Sequence, residues 1–318
     1  MSDKCAVIVN PASANGATER RWSQIAHKLR RRLTDFSVFR TNAPGHASEL
    51  VRDGLRQGFR HFISVGGDGT HNEVVNGCFD DGKRVADDIV LSVLPTGTGG
   101  DLRRTLGLPN SVTDAIEFIG QNRVRVDIGQ VRSTGSHRDT LYSHFINISS
   151  FGVSGLVVSL VNESSKALGG KASFLMGVAK GTIKYKNQPM RIILDEGTQD
   201  EQRFEGRFYN GVVANAQYFG GGMHIAPNAV MTDGLFDVVL LADLSKWAVL
   251  RGTPSLFSGR HIMRKGVSVH RARTVSAYPI NEQAVLIDLD GEQAGHLPAH
   301  YTILPGPIEI CTGPDWQG

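Results

Sequence analysis

The sequence of 318 residues holds only three cysteines, Cys5, Cys78 and Cys311. Odd in number, far apart and in no C-x-x-C spacing, they exclude a disulfide frame and a cysteine zinc site and fit a reducing compartment. No window approaches the ~20 consecutive apolar residues that crossing a bilayer requires. The apolar run near the start, Ala6–Val9, is too brief for a secretory signal and reads as a first strand. Excess charge is missing too: 34 Lys and Arg face 31 Asp and Glu, a formal charge of +3. No basic stripe with interleaved aromatics appears, so nucleic acid is not an expected partner. The mild basicity is compatible with approach to an anionic membrane. Internal repeats, low-complexity tracts and long flexible linkers are absent as well.

What is present is enough apolar sequence, 40% of residues, for substantial cores, in a chain long enough for two domains. The first part alternates apolar runs with amphipathic stretches. Ala6–Val9, Phe36–Arg40, His61–Val65 and Ile89–Leu94 read as strands. Trp22, Ile25, Ala26, Leu29 and Leu33 align on one helical face, as do Ala47, Leu50, Val51 and Leu55 within His46–Gly58, and a further helix is expected over His71–Cys78. This alternation implies βαβ units and an open parallel sheet. After about Asp127 the pattern changes. Leu141–Ile148, Met190–Leu194, Phe204–Ala214, Leu235–Leu241, Val267–Val275, Ala284–Leu289 and Tyr301–Leu304 read as strands, with helical interruptions around Leu156–Lys184 and Leu244–Phe257. The expectation is an α/β chain: an N-terminal open parallel-sheet domain, residues 1–127, followed by an antiparallel β-sandwich-like domain, residues 128–304. With no linker between them, a cleft between the two domains is the expected place for a site.

Two glycine-rich turns follow successive expected strands. Gly66-Gly67-Asp68-Gly69-Thr70 comes after His61–Val65, and Pro95-Thr96-Gly97-Thr98-Gly99-Gly100-Asp101 after Ile89–Leu94. Glycines allow backbone to approach a phosphate, and a helix beginning near His71 would direct its amides and positive dipole end at that anion. A carboxylate inside such a cradle suggests an offsetting cation, which points Asp68 toward Mg²⁺. Taken alone, the first turn reads equally well as a tight turn with Asp68 capping the next helix. Arg103 and Arg104 add guanidinium groups to the second turn. The Walker loop is absent, as is the paired H-R-D and D-F-G set of protein kinases.

GGDGTHNEVVNG, Gly66–Gly77, together with PTGTGGDLRR, Pro95–Arg104, resembles the diacylglycerol kinase catalytic domain family, in particular its soluble bacterial lipid kinases. The resemblance spans nearly the whole chain. It takes in Asn10-Pro11, Thr41, Gly45-His46-Ala47, Asp127-Ile128-Gly129, Phe145-Ile146-Asn147, Asp233–Asp237 and Asp290-Gly291-Glu292. GGDGT is shared with the NAD kinases, whereas N-E-V-V-N-G and the later D-G-E are more specific to lipid kinases.

The resemblance implies a nucleotide-binding domain over residues 1–127, joined by residues 305–318, and a lipid-substrate domain over 128–304. It implies that ATP contacts Asn10, Pro11, Thr41, Gly66, Gly67, Asp68, Gly69, Thr70, His71, Asn72, Glu73, Gly97, Thr98 and Asp101. Asp68 is expected near the triphosphate and its Mg²⁺, and Glu292 as the base on the lipid hydroxyl, with Asp68 as the competing base. Asp233, with the backbone carbonyls of Val230 and Leu235, matches a second, structural Mg²⁺ site. Without the family, Asp233-Gly234 and Asp290-Gly291 read as ordinary hairpin turns. The expected partner is a membrane lipid, met by peripheral contact from the cytoplasm at the inner face of the membrane, and a homodimer is a candidate assembly.

The chain departs from the family at Gly100, where asparagine is usual before the aspartate. Two further readings stand beside the lipid kinase: an NAD kinase or other soluble-acceptor kinase on the same scaffold, and a non-catalytic nucleotide or lipid sensor, motivated by Gly100. The basic, apolar stretch Lys246–Lys265 reads as a helix packed on the β domain with a solvated basic face, or as a membrane-touching segment. His46, His71 and His144 lack metal spacing and are expected in packing or polar roles.

Overall fold

The computed structural model describes residues 4–134, 140–163, 170–316 and 318. The chain divides into two compact units, Met1–Asp127 with Pro305–Gly318, and Ile128–Leu304.

In the first unit, β1 (Cys5–Val9) lies between β2 (Phe36–Arg40) and β3 (His61–Gly66), and β4 (Val90–Pro95) lies beyond β3. All these pairings are parallel. Glu309 and Ile310, late in the chain, add a parallel edge beside β4. β1, β3 and β4 are buried along their length, so they read as continuous apolar runs rather than alternating ones. The helices α1 (Ser13–Arg32), α2 (His46–Arg56) and α3 (Asp68–Gly77) are the crossovers. From β1 the chain moves to β2 on one side and then returns to β3 on the other. The carboxyl ends of β1 and β3 therefore flank a topological switch point, where open α/β sheets bind ligands. The core on one face joins Ile25 and Leu29 of α1 to Val7, Ile63, Val65 and Leu94 of the sheet.

The second unit is antiparallel, as its patterning indicated. A further strand, β5 (Arg123–Thr134), enters it from the first unit and pairs with β6 (Thr140–Phe145). β5 was not among the expected strands. Its Val124, Val126 and Ile128 alternate with Arg123, Arg125 and Asp127, and the charged positions obscured the run. Three expected strands are each two. Leu141–Ile148 breaks between β6 and β7 (Ile148–Gly152), Phe204–Ala214 breaks at Tyr209, and Val267–Val275 breaks at Arg273. The break at Arg273 has a visible cause, since the Asp195 carboxylate accepts the Arg273 and Thr274 amides at 2.8 and 2.9 Å. β7 pairs with β8 (Asn210–Ala214) and with β9 (Leu286–Leu289). Phe145, Phe151, Phe236 and Tyr301 fill the core, with Phe145 stacked on Phe236 at 5.7 Å. Among the described residues, no helix is long and apolar enough to cross a membrane.

Candidate functional site

The switch point gathers the sequence motifs of the first unit. At the end of β1, the Asn10 amide donates to the Val65 carbonyl, and its side-chain Nδ2 donates to Thr70 Oγ1 at 2.9 Å. The Thr41 amide donates to the Val9 carbonyl at 2.9 Å, bringing the end of β2 to the same edge. Gly66 registers with Pro95, so both glycine turns leave the sheet side by side. They touch backbone to backbone, because a Cβ on Gly97 would stand 2.5 Å from the Gly67 Cα. No side chain fits between the turns there.

Asp68 ties the turns together. Its Oδ2 accepts the Gly100 amide at 2.8 Å and its Oδ1 the Leu102 amide at 3.1 Å. Its charge is thus met in part by the amides of Gly100 and Leu102, partners that sequence reasoning missed when it weighed Mg²⁺ against capping of the next helix. Each oxygen keeps a further lone pair. Asp101 is buried and paired with Arg104 at 3.1 Å, and Arg104 also donates to the Gly99 carbonyl at 2.6 Å. Gly100 holds φ +68°, the left-handed region. Arg103 packs over it, and its buried Nε has no hydrogen-bond partner.

The expected contact residues divide by burial. Thr98 is exposed, and Asn10, Pro11, Gly67, Asp68 and Gly69 are partly exposed at the turns. Thr70, His71 and Asn72 are buried, leaving chiefly backbone for a ligand. The His71 ring is within 2.7 Å of Ser64 Oγ, and burial lowers its pKa to about 4, so it is neutral and structural. Glu73 turns away from the loops: its carboxylate accepts the Ala47 amide at the start of α2, at 3.1 Å. The first amides of α3 lack intrahelical acceptors by helix geometry, and the α3 N-cap, Gly67, supplies no side-chain cap. Such an end receives a phosphate well.

In the second unit, Asp290-Gly291 forms the tight turn from β9 into β10 (Glu292–Cys311), with φ +48° and +89°. Asp290 is the anchor of that turn. Its carboxylate accepts the amides of Ile146 (3.0 Å), Asn147 (3.2 Å) and Ile148 (2.8 Å), which is why the chain breaks between β6 and β7. Asp288 accepts the Gly291 amide at 2.9 Å and the Ser150 hydroxyl at 3.1 Å. Burial pushes the Asp290 carboxyl up to about 7 and the Asp288 carboxyl up to about 6, against the pull of those donors. Glu292 follows directly and is exposed.

The family profile described as the diacylglycerol kinase catalytic domain matches residues 4–131, and the YegS C-terminal NAD kinase beta sandwich-like domain matches residues 147–312. The chain belongs to the family of the YegS C-terminal NAD kinase beta sandwich-like domain, and its residues 4–131 match the diacylglycerol kinase catalytic domain. A diacylglycerol kinase of Staphylococcus haemolyticus is 28% identical, over 98% of this chain and 89% of its own. One of Bacillus subtilis is 27% identical, over 96% and 94%. The crystal structure of a diacylglycerol kinase from Bacillus anthracis superposes with a TM-score of 0.71 at 21% identity, covering 99% of this chain and 98% of that one. The yeast NADH kinase complexed with NADH shares the fold at a TM-score of 0.55 and 10% identity, over 98% of this chain and 84% of its own.

The two cation positions that the resemblance implies meet these residues differently. Mg²⁺ at a phosphate is usually held by one or two carboxylates plus the phosphates themselves, and Asp68 fits that donor set, whereas Asp101 is already paired with Arg104. The Asp233 turn does not fit as arranged. Its Oδ2 is ion-paired with the Arg271 guanidinium, and its Oδ1 accepts the Leu235 amide at 3.0 Å. A divalent ion there would have to displace the arginine, whose Nε also lies 3.8 Å from buried Asp237. Among the described residues, no group of three or more His, Cys, Asp or Glu is arranged to hold a metal.

Proposed function

We propose that the chain transfers the γ-phosphoryl group of ATP to the hydroxyl of diacylglycerol or a related lipid. In this reading residues 1–127 with 305–318 bind the nucleotide and residues 128–304 the lipid. The observation that carries it is the pair of glycine turns held together by Asp68 at the switch point of the parallel sheet.

Phosphoryl transfer passes through a loose transition state, so positioning and charge stabilisation do most of the work. The amides opening α3 and those of Thr98 and Gly99 in the second turn receive phosphate oxygens, and Thr98 offers its hydroxyl from an exposed position. Asp68 keeps the two turns in register, which fixes where those amides point. Mg²⁺, when bound with the nucleotide, supplies countercharge to the phosphates. The lipid oxygen forms a bond to the γ-phosphorus while the bond to ADP breaks, and the hydroxyl proton passes to Glu292. Glu292 is exposed beside the sharp Asp290-Gly291 turn, where an incoming hydroxyl can approach its carboxylate. The enzyme would work from the cytoplasm, at the inner face of the membrane.

The test is transfer of radiolabelled γ-phosphate from ATP to a panel of lipids in mixed micelles, with NAD as a parallel acceptor. Label in diacylglycerol or another lipid supports the reading. Label in NAD alone would move the chain to the soluble-acceptor kinases.

A further inference from the structure

The helix α4 (Lys246–Leu256) of the second unit is bounded at its start by Ser245, whose hydroxyl accepts the Ala248 amide at 3.2 Å. The sequence leaves two readings of this stretch open: a helix packed on the β domain with a solvated basic face, or a membrane-touching segment. In the structure Val249 and Leu256 rest on neighbouring apolar clusters, yet none of the helix's residues is buried. Opposite them, at helical spacing, Trp247, Leu250, Arg251 and Pro254 share one exposed face. Trp247 is 72% exposed, and Met263, in the turn that follows, is 86% exposed. Phe257 is exposed at the helix end. Ile183 joins the same neighbourhood, because Lys246 Nζ donates to its carbonyl.

An exposed tryptophan among other large apolar side chains is costly in water and needs an occupant. The charge around it says which. From Leu244 to His270 the chain carries Lys246, Arg251, Arg260, Arg264 and Lys265 and no carboxylate. Arg251, Arg260, Arg264 and Lys265 are exposed, and none of the five is in an ion pair among the described residues. The nearest acid in sequence, Asp243, is engaged by Asn187 at 2.6 Å and Arg207 at 3.8 Å. Two copies of so positive a face would repel each other, whereas an anionic bilayer would attract it. Apolar side chains ringed by cations match an interfacial membrane contact, with Trp247 at headgroup depth.

We infer that α4 and the turn after it, through Trp247, Leu250, Phe257 and Met263 with Arg251, Arg260, Arg264 and Lys265, dock the protein on an anionic lipid surface. This rests on the lipid kinase reading for its purpose, but its test does not depend on catalysis. Full-length protein is sedimented with vesicles of phosphatidylcholine alone and of phosphatidylcholine mixed with phosphatidylglycerol. Binding to the mixed vesicles that weakens with salt is expected. Trp247→Ser with Leu250→Ser, and separately Arg251→Glu with Arg264→Glu, should each lower partitioning at least about tenfold with Tm unchanged. Each pair should also lose phosphorylation of vesicle-embedded diacylglycerol while keeping activity on a water-soluble short-chain analogue.

Unchanged partitioning in both variants would overturn the inference. So would a homodimer, seen by sedimentation velocity, that dissociates in the Trp247→Ser variant, since the face would then belong to a second copy. Membrane binding without any lipid phosphorylation would leave docking intact and refute the kinase reading instead.

Discussion

Asp68→Asn separates two roles for one carboxylate. The wild-type side chain accepts two amides of the second turn, Gly100 at 2.8 Å and Leu102 at 3.1 Å. Asparagine keeps one acceptor and turns an NH₂ toward the other amide, donor against donor. A lost hydrogen bond to a charged group costs about 1.5–3 kcal/mol. For a domain of this size that corresponds to a fall in Tm of roughly 5–10 °C. If nucleotide binding must restore the turn, the Kd for ATP rises about 10- to 150-fold. Pure electrostatics gives the opposite sign, since removing a negative charge beside a phosphate should tighten anion binding. The assay is calorimetric ATP binding and thermal melting, both without Mg²⁺, followed by turnover with Mg²⁺. Weaker binding and a lower Tm in the absence of metal are expected, with turnover abolished when metal is added. An unchanged Tm and ATP affinity, with loss only of Mg²⁺-dependent turnover, would refute the clamp and leave Asp68 as a metal ligand alone.

Gly100→Asn should fold with a loss of at most about 1–2 kcal/mol, because asparagine tolerates the left-handed φ of +68° better than other side chains although its Cβ would stand 3.1 Å from Arg103 Nε. It should tighten ATP binding by offering an acceptor near the unpartnered Arg103 Nε, which fluorescence titration with a labelled nucleotide would check. Gly97→Ala should instead weaken binding severely, since its Cβ would meet the Gly67 Cα at 2.5 Å. Burial raises the Asp290 and Asp288 carboxyls to about 7 and about 6, so their protonated forms favour the folded state. Their contribution is fully present below about pH 4 and is lost as pH rises through 6–7. Urea melts from pH 5 to pH 8 should show that decline, and Asp290→Asn should flatten it while lowering stability at pH 5. Arg271→Gln uncovers Asp233 and leaves Asp237 buried without its cation, so thermal stability should fall and recover with added Mg²⁺. The wild type should show no such recovery at this turn.

Much of the parallel-sheet unit was legible because its signals are local. Phe36–Arg40 is bounded as the sequence indicated, and both glycine turns follow the strands that the apolar runs marked. Strand breaks in the second unit were not legible, because long-range acceptors cause them. Nothing near Ile146 announces that Asp290 will take its amide, and nothing near Arg273 points to Asp195. The Asp68 clamp escaped for the same reason: its donors lie in the other turn. D-L-D-G-E, with carboxylates at every second position entering a turn, was a usable hint that Asp288 and Asp290 face inward together. The exposure of Trp247 could not be read from helical spacing, which shows that a face exists but not whether a neighbour covers it.

Transfer of γ-phosphate to diacylglycerol, measured side by side for the wild type and Glu292→Gln, tests the central claim most directly. The wild type should yield labelled phosphatidic acid. The variant should turn over about 10²- to 10⁴-fold more slowly, with its KM for ATP little changed, the range for loss of a general base. A wild type that labels no lipid would contradict the account, and a Glu292→Gln enzyme with intact kcat and a raised KM for ATP would contradict the role given to Glu292.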